Sequence, residues 1–402
     1  MTLLTSLRCL NLFGTKINQV PKGIGKLKFL THLRDYPVGD GSDNAVVQGG
    51  WNLKELSSLS QMRHLSLVKL ERAAHYSING VLTDKKHLKE LGLQWTAHGE
   101  VSYSEEDVSN TEKVFEQLIP PHNLEDLSIF RFFGRQYPTW FGTTYLSSLI
   151  YLKLVDVRSC VELPPIGQLS NLKFLRIDGA HAVTKVGPKF AGFKKGDRVC
   201  NEFRAFPKLE WLIFKDMPNW EVWSSFEEEV ADDGRGADGT AEIRKEDVQS
   251  ARLQLLPCLV SLQLVDCPKL RALPPQLGED TASLKQVVLI GINNLMAMED
   301  FPLIPQLIIK NCEGLERVCN LPLVTDLRVL GCPNLKHVEG LASLQQLGLG
   351  EDMQQEISSR WVPELQEQHR QLHGEDLDVY TWSTHRTDGW FASTRKASDI
   401  LS

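Results

Sequence analysis

Residues that could perform catalysis or bind a metal occur along this 402-residue sequence in no recognised catalytic or metal-binding pattern. None of the eight cysteines forms a C-x-x-C pair, and no histidine pair completes a zinc-binding pattern. His369 and His373 are spaced to share one helix face, but no further ligand is close in sequence. A solvated helix face is therefore the favoured interpretation of these two histidines.

Motifs for nucleotide binding and hydrolysis are also missing from the sequence. There is no G-x-x-x-x-G-K-[ST] loop, no G-x-S-x-G turn and no H-E-x-x-H helix. Acidic pairs such as Glu105 and Glu106 are too common to assign as general acid and base. The sequence therefore predicts that the protein is not an enzyme, and it assigns no catalytic, cofactor-binding or metal-binding residue.

A short apolar motif, L-x-x-L-x-L, recurs along most of the chain. It predicts the secondary-structure elements on which all other residues are placed. Neighbouring copies are often separated by 20 to 26 residues, as between Leu127, Leu152 and Leu175, and this is the leucine-rich-repeat period. The thirteen copies, some of them degenerate, contain the pairs Leu10/Leu12, Leu30/Leu33, Leu65/Leu67, Leu91/Leu93, Leu127/Ile129, Leu152/Leu154, Leu175/Ile177, Leu212/Phe214, Leu262/Leu264, Val287/Leu289, Leu307/Ile309, Leu327/Val329 and Leu347/Leu349.

Each L-x-L core alternates with period two, so it predicts a short strand with its leucines on one face. One copy cannot bury that face alone, whereas stacked copies form a parallel sheet over a continuous leucine core. Return segments such as 163–169 and 20–27 contain proline and glycine, which favour irregular, 3₁₀ or short helical backbone. The predicted fold is an α/β leucine-rich-repeat solenoid, with a curved parallel sheet on the concave face and these return segments on the convex face.

Three cysteines follow L-x-L cores by one constant offset. They are Cys267, Cys312 and Cys332, at the position where such repeats carry Asn or Cys. We expect each thiol to be a small buried group inside a turn, with no redox or metal-binding role.

The predicted domain organisation is a repeat array of about 12 to 13 irregular repeats over residues 1–350, followed by a cap. Loop insertions are expected at 35–50 and at 226–251, where nine acids face three bases and few large apolar residues occur. An acidic docking segment is the alternative interpretation of 226–251. Residues 351–382 are expected to form the C-terminal cap, and 383–402 a disordered tail.

Composition and charge restrict the environment and the partners. The net charge of −7 disfavours nucleic acid as a partner, and no apolar run is long enough to span a membrane. No N-x-[ST] glycosylation acceptor occurs, and the cysteines do not form a disulfide framework. These observations favour a reducing, cytoplasmic location over the ectodomain of an extracellular receptor.

Residues beside the core leucines should face outward along the concave sheet and form the protein-binding surface. Aromatic and arginine side chains dominate binding hot spots, although single exposed apolar residues are also normal. The candidate protein-binding residues are Trp95, Phe130, Arg131, Tyr151, Phe174, Arg176, Trp211, Lys215 and Asp216.

Four segments resemble one family in particular. These are PPHNLEDLSIFRFFGRQYPTWFG (120–142), SCVELPPIGQLSNLKFLRIDGAHAVTKVGPKF (159–190), AFPKLEWLIFKDMPNWEVW (205–223) and QLHGEDLDVYTW (371–382). They resemble the leucine-rich region of plant coiled-coil nucleotide-binding leucine-rich-repeat (NBS-LRR) disease-resistance proteins, of the grass type. The resemblance covers essentially the whole chain.

The resemblance implies a ligand-sensing module of an intracellular plant immune receptor, acting in innate immunity and plant defence. Its partners would be a pathogen effector, a guarded host protein, or the nucleotide-binding domain of the same or a related receptor. The alternatives are an autoinhibitory regulator of a nucleotide-binding switch domain, in cis or in trans, or a non-signalling truncated paralogue.

No cofactor is expected in this chain, since ADP or ATP would bind the nucleotide-binding domain of a full-length relative. That domain is missing and Met1 falls within a repeat, so a fragment or a decayed paralogue is expected. The resemblance also implies a cytoplasmic protein that reaches the nucleus or a membrane surface through its partners.

Overall fold

The computed structural model describes most of the repeat region. The described residues are 4–17, 23–39, 53–73, 80–96, 103–142, 144–193, 204–224, 254–274, 277, 281–353 and 358–382. The predicted insertion at 226–251 and the predicted tail at 383–402 lie outside them. Of the insertion predicted at 35–50, residues 35–37 belong instead to a strand in which Tyr36 is fully buried.

One 14-stranded sheet dominates the described part of the chain, and every neighbouring pair of its strands is parallel. Each of the thirteen copies of the motif falls at one of its first thirteen strands, with Leu12 and Leu30 just outside the strand bounds, which confirms the solenoid prediction. In sheet order the strands are β1 (Cys9–Asn11), β2 (His32–Pro37), β3 (His64–Val68), β4 (Glu90–Gln94), β5 (Asp126–Phe130), β6 (Tyr151–Val155), β7 (Phe174–Asp178), β10 (Trp211–Lys215), β13 (Ser261–Val265), β14 (Gln286–Ile290), β16 (Gln306–Lys310), β18 (Asp326–Leu330), β20 (Gln346–Leu349) and β21 (Asp378–Thr381).

The two faces of this sheet differ in burial because side chains alternate along each strand. On β6, Leu152 and Leu154 are fully buried, whereas Tyr151 and Lys153 are half-buried. The buried positions of successive strands join one apolar core that extends from Leu12 to Leu377. We call the opposite side of the sheet, with Tyr151 and its equivalents, the open face.

The residue that directly follows a strand reverses the chain in a left-handed conformation. Its φ is 59° at Asp156, 72° at Gly179, 53° at Asp266 and 52° at Asn311. Glycine, asparagine and aspartate tolerate this region best, which explains why they recur at this repeat position. Lys69 and Arg131 occupy the same position with φ of 62° and 59°.

Return segments contain 3₁₀ turns, as predicted, and also short strands, which were not predicted. The small parallel sheets pair β8 (Lys185–Val186) with β11 (Val222–Trp223), β9 (Arg204–Ala205) with β12 (Gln254–Leu255), and β15 (Ala297–Glu299), β17 (Arg317–Cys319) and β19 (His337–Glu339) with one another. The 3₁₀ turns are Ile24–Lys26, Leu53–Ser58, Leu70–Arg72, Thr139–Gly142, Thr144–Leu146, Glu351–Met353 and Ser358–Arg360.

Two α-helices interrupt this pattern in the described residues. Helix α1 (Glu105–Gln117) follows β4, and Ser104 and Asp107 form a capping box at its N-terminus. Helix α2 (Val362–His373) follows β20 and ends at Gly374, whose φ is 75°. The rings of His369 and His373 on α2 are tilted against each other with centroids 4.7 Å apart, and each makes a hydrogen bond with a main-chain carbonyl, those of Glu375 and Ala342 respectively.

The sheet continues past residue 350, where the sequence pattern predicted the repeats to stop. After α2 the chain returns to the sheet, and β21 pairs in parallel with β20. The sequence of β21 does not show the repeat motif. Val379 is the register partner of the core leucine Leu347 in β20, but its own side chain is exposed.

Candidate functional site

Three predicted aromatic residues form a row across the middle of the open face. Tyr151, Phe174 and Trp211 are the first residues of β6, β7 and β10, and they are aligned in register. The rings of Tyr151 and Phe174 are 6.1 Å apart between centroids. All three side chains are half-buried, so part of each ring surface remains accessible.

A second row lies two residues further along the same strands. It consists of Lys153, Arg176 and Ile213, again in register. Two residues further still come Val155, Asp178 and the predicted Lys215. We call these nine residues of β6, β7 and β10 the central patch.

Aspartates in and around the central patch are held by neighbouring arginine and histidine side chains. Asp178 accepts a hydrogen bond from the Arg176 guanidinium at 2.5 Å. Asp156 contacts Arg158, and the predicted Asp216 contacts Nε2 of His181 at 2.8 Å. Asp216 directly follows β10 and has a φ of 51°, so it forms the left-handed turn there in addition to carrying a negative charge.

Phe130 and Arg131 flank the central patch at the end of β5. Phe130 is half-buried on the open face, in register with Val155 of β6. Arg131 is exposed and occupies the left-handed position after the strand.

Trp95 was predicted to face outward, and this prediction is wrong. Its side chain is fully buried and packs edge-on against Phe115 and Phe132, at centroid distances of 5.3 Å and 5.0 Å. The reason is the strand period of two, because Trp95 continues the inward series of Leu91 and Leu93.

The same period identifies four patch residues that were not predicted, namely Val155 and Asp178 at the strand ends and Lys153 and Ile213 in the strand centres. Lys153 lies between Leu152 and Leu154, and Ile213 lies between Leu212 and Phe214. Strict alternation would have placed both on the open face. Neither is an aromatic or arginine residue, the types that indicate a binding hot spot in a sequence.

A separate apolar cluster covers the C-terminal part of the open face. Val288 and Ile308 are buried there together with Trp382, which follows β21. Ile290, Leu330 and Tyr380 pack against them. This part of the open face is therefore already covered by the chain itself.

The groove of about 1100 Å³ on the return-segment side contains none of the predicted residues. Residues 296–302 form one wall, and Asn293, Asn320 and Asn334 contribute amides. In the described residues no group of three or more His, Cys, Asp or Glu could hold a metal ion, and no helix is long and apolar enough to cross a membrane.

The three repeat cysteines belong to the buried core. Cys267, Cys312 and Cys332 are fully buried, and each thiol donates to the carbonyl two residues before it, at 3.4 to 3.5 Å. Burial raises the pKa of Cys267 to about 12, which keeps it in the unreactive thiol form.

A ladder of parallel strands with inward leucines and an accessible opposite face defines a leucine-rich-repeat solenoid. Within it, residues 53–180 match the model of the R13L1/DRL21 LRR family. The aromatic loop 131–142 and the strands β3 to β7 lie in this segment.

Curated relatives are plant disease-resistance proteins. The chain is 28% identical over 232 residues to disease resistance RPP13-like protein 1 of Arabidopsis thaliana, covering 56% of this chain and 20% of the relative. It is 30% identical over 158 residues to disease resistance protein RGA2 of Solanum bulbocastanum, covering 38% of this chain and 15% of the relative. These matches confirm the resemblance to the leucine-rich repeats of plant disease-resistance proteins, while the grass type stays a prediction.

The chain spans a small part of these relatives. A third match, to RGA1 of Solanum bulbocastanum, covers 69% of this chain but 28% of that protein, at 26% identity over 300 residues. Among solved structures, a chain from the crystal structure of the yeast Rad7 and Elc1 complex matches at 12% identity, covering 75% of this chain and 73% of that chain. The TM-score of this match is 0.27.

Proposed function

We propose that this chain is the protein-recognition module of a plant immune receptor and binds a pathogen effector or a host partner protein through the open face. The central patch carries this proposal, because aromatic side chains lie in register on three adjacent strands beside cationic ones. Aromatic residues and arginine are the types that contribute most to binding hot spots. The relatives' names supply the context of defence.

The module needs no cofactor of its own in this proposal, and it acts in the cytoplasm. Its recognition surface belongs to the repeat array within residues 1–350, with 351–382 as its C-terminal cap. Recognition by such a surface requires no catalytic group, since binding energy comes from burying the aromatic row and pairing the cations.

Affinity capture from leaf extract with the immobilised chain tests this proposal. The double variant Phe174→Ala with Trp211→Ala should retain its melting temperature within a few degrees, because both side chains are half-buried on the open face. It should capture partner proteins at least about tenfold less well, as expected for the loss of two hot-spot residues.

Phe29→Ala is the matched control, since Phe29 is 60% exposed and lies outside the central patch. The proteins that count are those kept by this control and lost by the double variant, quantified by mass spectrometry. Equal capture by all three chains would refute the proposal.

A further inference from the structure

Two cations lie opposite one another in the central patch without enough negative charge to balance them. Lys153 of β6 and Arg176 of β7 are register partners. Like charges directly opposite on neighbouring strands destabilise a sheet. Asp178 neutralises one side of the Arg176 guanidinium. The Nε of Arg176 is buried and has no hydrogen-bond partner within the described part of the chain.

The other carboxylates near the patch are already engaged. Asp156 contacts Arg158, and Asp216 contacts His181. Asp126, at the β5 edge of the patch, accepts a hydrogen bond from Ser128. In contrast, Lys153, Lys215 and Arg131 have no carboxylate within ion-pair distance among the described residues. Within the central patch Lys153, Arg176 and Lys215 stand against the single carboxylate of Asp178, so the patch itself is positive, although the whole chain has a net charge of −7.

Cations and aromatic rings are adjacent in this arrangement. Along β6 and β7 the aromatic residue and the cation are two residues apart, or about 7 Å, whereas Ile213 takes the cation's position on β10. A ligand that reaches both rows must therefore carry anionic and apolar groups side by side. Carboxylates on a peptide fit this requirement, because they can accept hydrogen bonds from Arg176 and Lys153 while a neighbouring side chain stacks on Phe174 or Trp211.

We propose that the central patch binds an acidic segment of its partner protein, in which carboxylates stand next to apolar or aromatic side chains. This inference rests on the proposed function and names the chemistry of the partner. Lys153 and Arg176 bind the carboxylates, and Tyr151, Phe174 and Trp211 bind the apolar side chains.

Fluorescence anisotropy with synthetic peptides tests the inference on the full chain. The probe is a short fluorescein-labelled peptide of alternating Glu and Phe, and the comparison peptides alternate Lys with Phe and Glu with Ser. We expect the Glu–Phe peptide to bind most tightly, and its affinity to fall as salt is added. Binding of the Lys–Phe peptide at equal or higher affinity would overturn the inference, as would equal binding of a single-stranded DNA oligonucleotide.

Variants then locate the binding. Lys153→Gln with Arg176→Gln should weaken binding of the Glu–Phe peptide about tenfold, because two charge-assisted contacts are lost. The matched control is Lys285→Gln with Lys310→Gln, which removes two positive charges around β14 and β16 and should leave affinity unchanged. If the first variant melts early, Lys153→Gln alone replaces it, since Lys153 makes no ion pair in the described residues.

The experiments can refute the proposed function and the proposed acidic partner segment independently of each other. If the aromatic double variant loses partner proteins from leaf extract while the charge variant keeps them, the open face recognises proteins but the acidic segment is wrong. If the peptide binds the wild-type chain and the Lys153 and Arg176 variant equally, the inference is wrong regardless of the capture result.

Discussion

Lys85 is a lysine with almost no contact with solvent. Its side chain is 1% exposed, and Nζ donates to the carbonyl oxygens of Leu56 at 2.6 Å and Leu59 at 3.2 Å. These carbonyls belong to the return segment of the preceding repeat, so the lysine links two neighbouring repeats. Burial lowers the pKa of Lys85 from 10.5 to about 8.

This lowered pKa predicts a pH dependence of stability. Between pH 8 and 10.5 the unfolded chain binds a proton at Lys85 that the folded chain has lost, so the free energy of unfolding should rise with pH in this window. From about pH 7.5 to 9.5 the rise should be on the order of 2 kcal/mol. It should vanish in Lys85→Met.

Urea unfolding of the wild-type chain, Lys85→Met and Lys86→Met at several pH values measures this effect. Lys86 is the exposed neighbour and should behave as wild type. The comparison among variants is needed because buried thiols such as Cys160, whose pKa burial raises to about 12, act in the opposite direction. Parallel pH profiles for all three chains would contradict the assignment.

The sequence predicts which face of the sheet a side chain lies on wherever the strand period of two applies. Phe174 and Trp211 stand beside core leucines and do lie on the open face, whereas Trp95 was misassigned because its spacing from Leu93 was not applied. Lys85 could not have been found in this way. Its burial depends on carbonyl groups 26 and 29 residues earlier in the chain, and lysines are rarely buried.

Helix α1 is the element that organises the aromatic loop 131–142. Its carboxylates accept hydrogen bonds from the loop backbone, with Glu112 bound to the N–H groups of Arg135 at 2.7 Å and Gln136 at 3.2 Å. Glu116 binds the N–H of Thr139 at 2.8 Å. Under the helix, Phe115 packs against Trp140 at a centroid distance of 5.5 Å.

Removing one of these carboxylates should loosen the loop and leave the ladder intact. Glu112→Ala leaves two backbone N–H groups without their acceptor, which corresponds to about 1–2 kcal/mol of local stability. We expect amide hydrogen exchange at residues 135 and 136 to become roughly tenfold faster or more. Exchange in β5 and β6 should not change.

Glu106→Ala is the control for this experiment, because Glu106 is exposed on the same helix. Unchanged exchange in Glu112→Ala would show that the carboxylate does not hold the loop.

Elements with the repeat motif were predictable, and α1 and β21 were not. The thirteen predicted strands repeat one apolar spacing, so each copy supports the others. Helix α1 has few apolar residues, with Val114 and Phe115 among those that it buries, which leaves only a weak helical pattern. β21 (Asp378–Thr381) has no fully buried side chain, and its position depends on backbone pairing with β20 and on the packing of Tyr380, which the sequence does not reveal.

In the described part of the chain the strands form a one-dimensional stack in which each pairs with its neighbours in the sheet, while Tyr380 and Trp382 reach back to the cluster with Val288 and Ile308. Leu327, for example, pairs in register with Leu307 on one side and Leu347 on the other. In such an array the stability is a sum of repeat terms and interfaces between adjacent repeats. A local defect should therefore remain local.

Leu327→Ala tests this property. The side chain is fully buried, so its truncation should cost about 2–5 kcal/mol in the repeats that contain it. Hydrogen exchange should accelerate in β16, β18 and β20 and remain unchanged in β3 to β5. Leu127→Ala, equally buried, should give the reverse pattern. Uniform acceleration across all strands in either variant would show that the ladder unfolds as one cooperative unit, and the central patch would then depend on distant repeats for its shape.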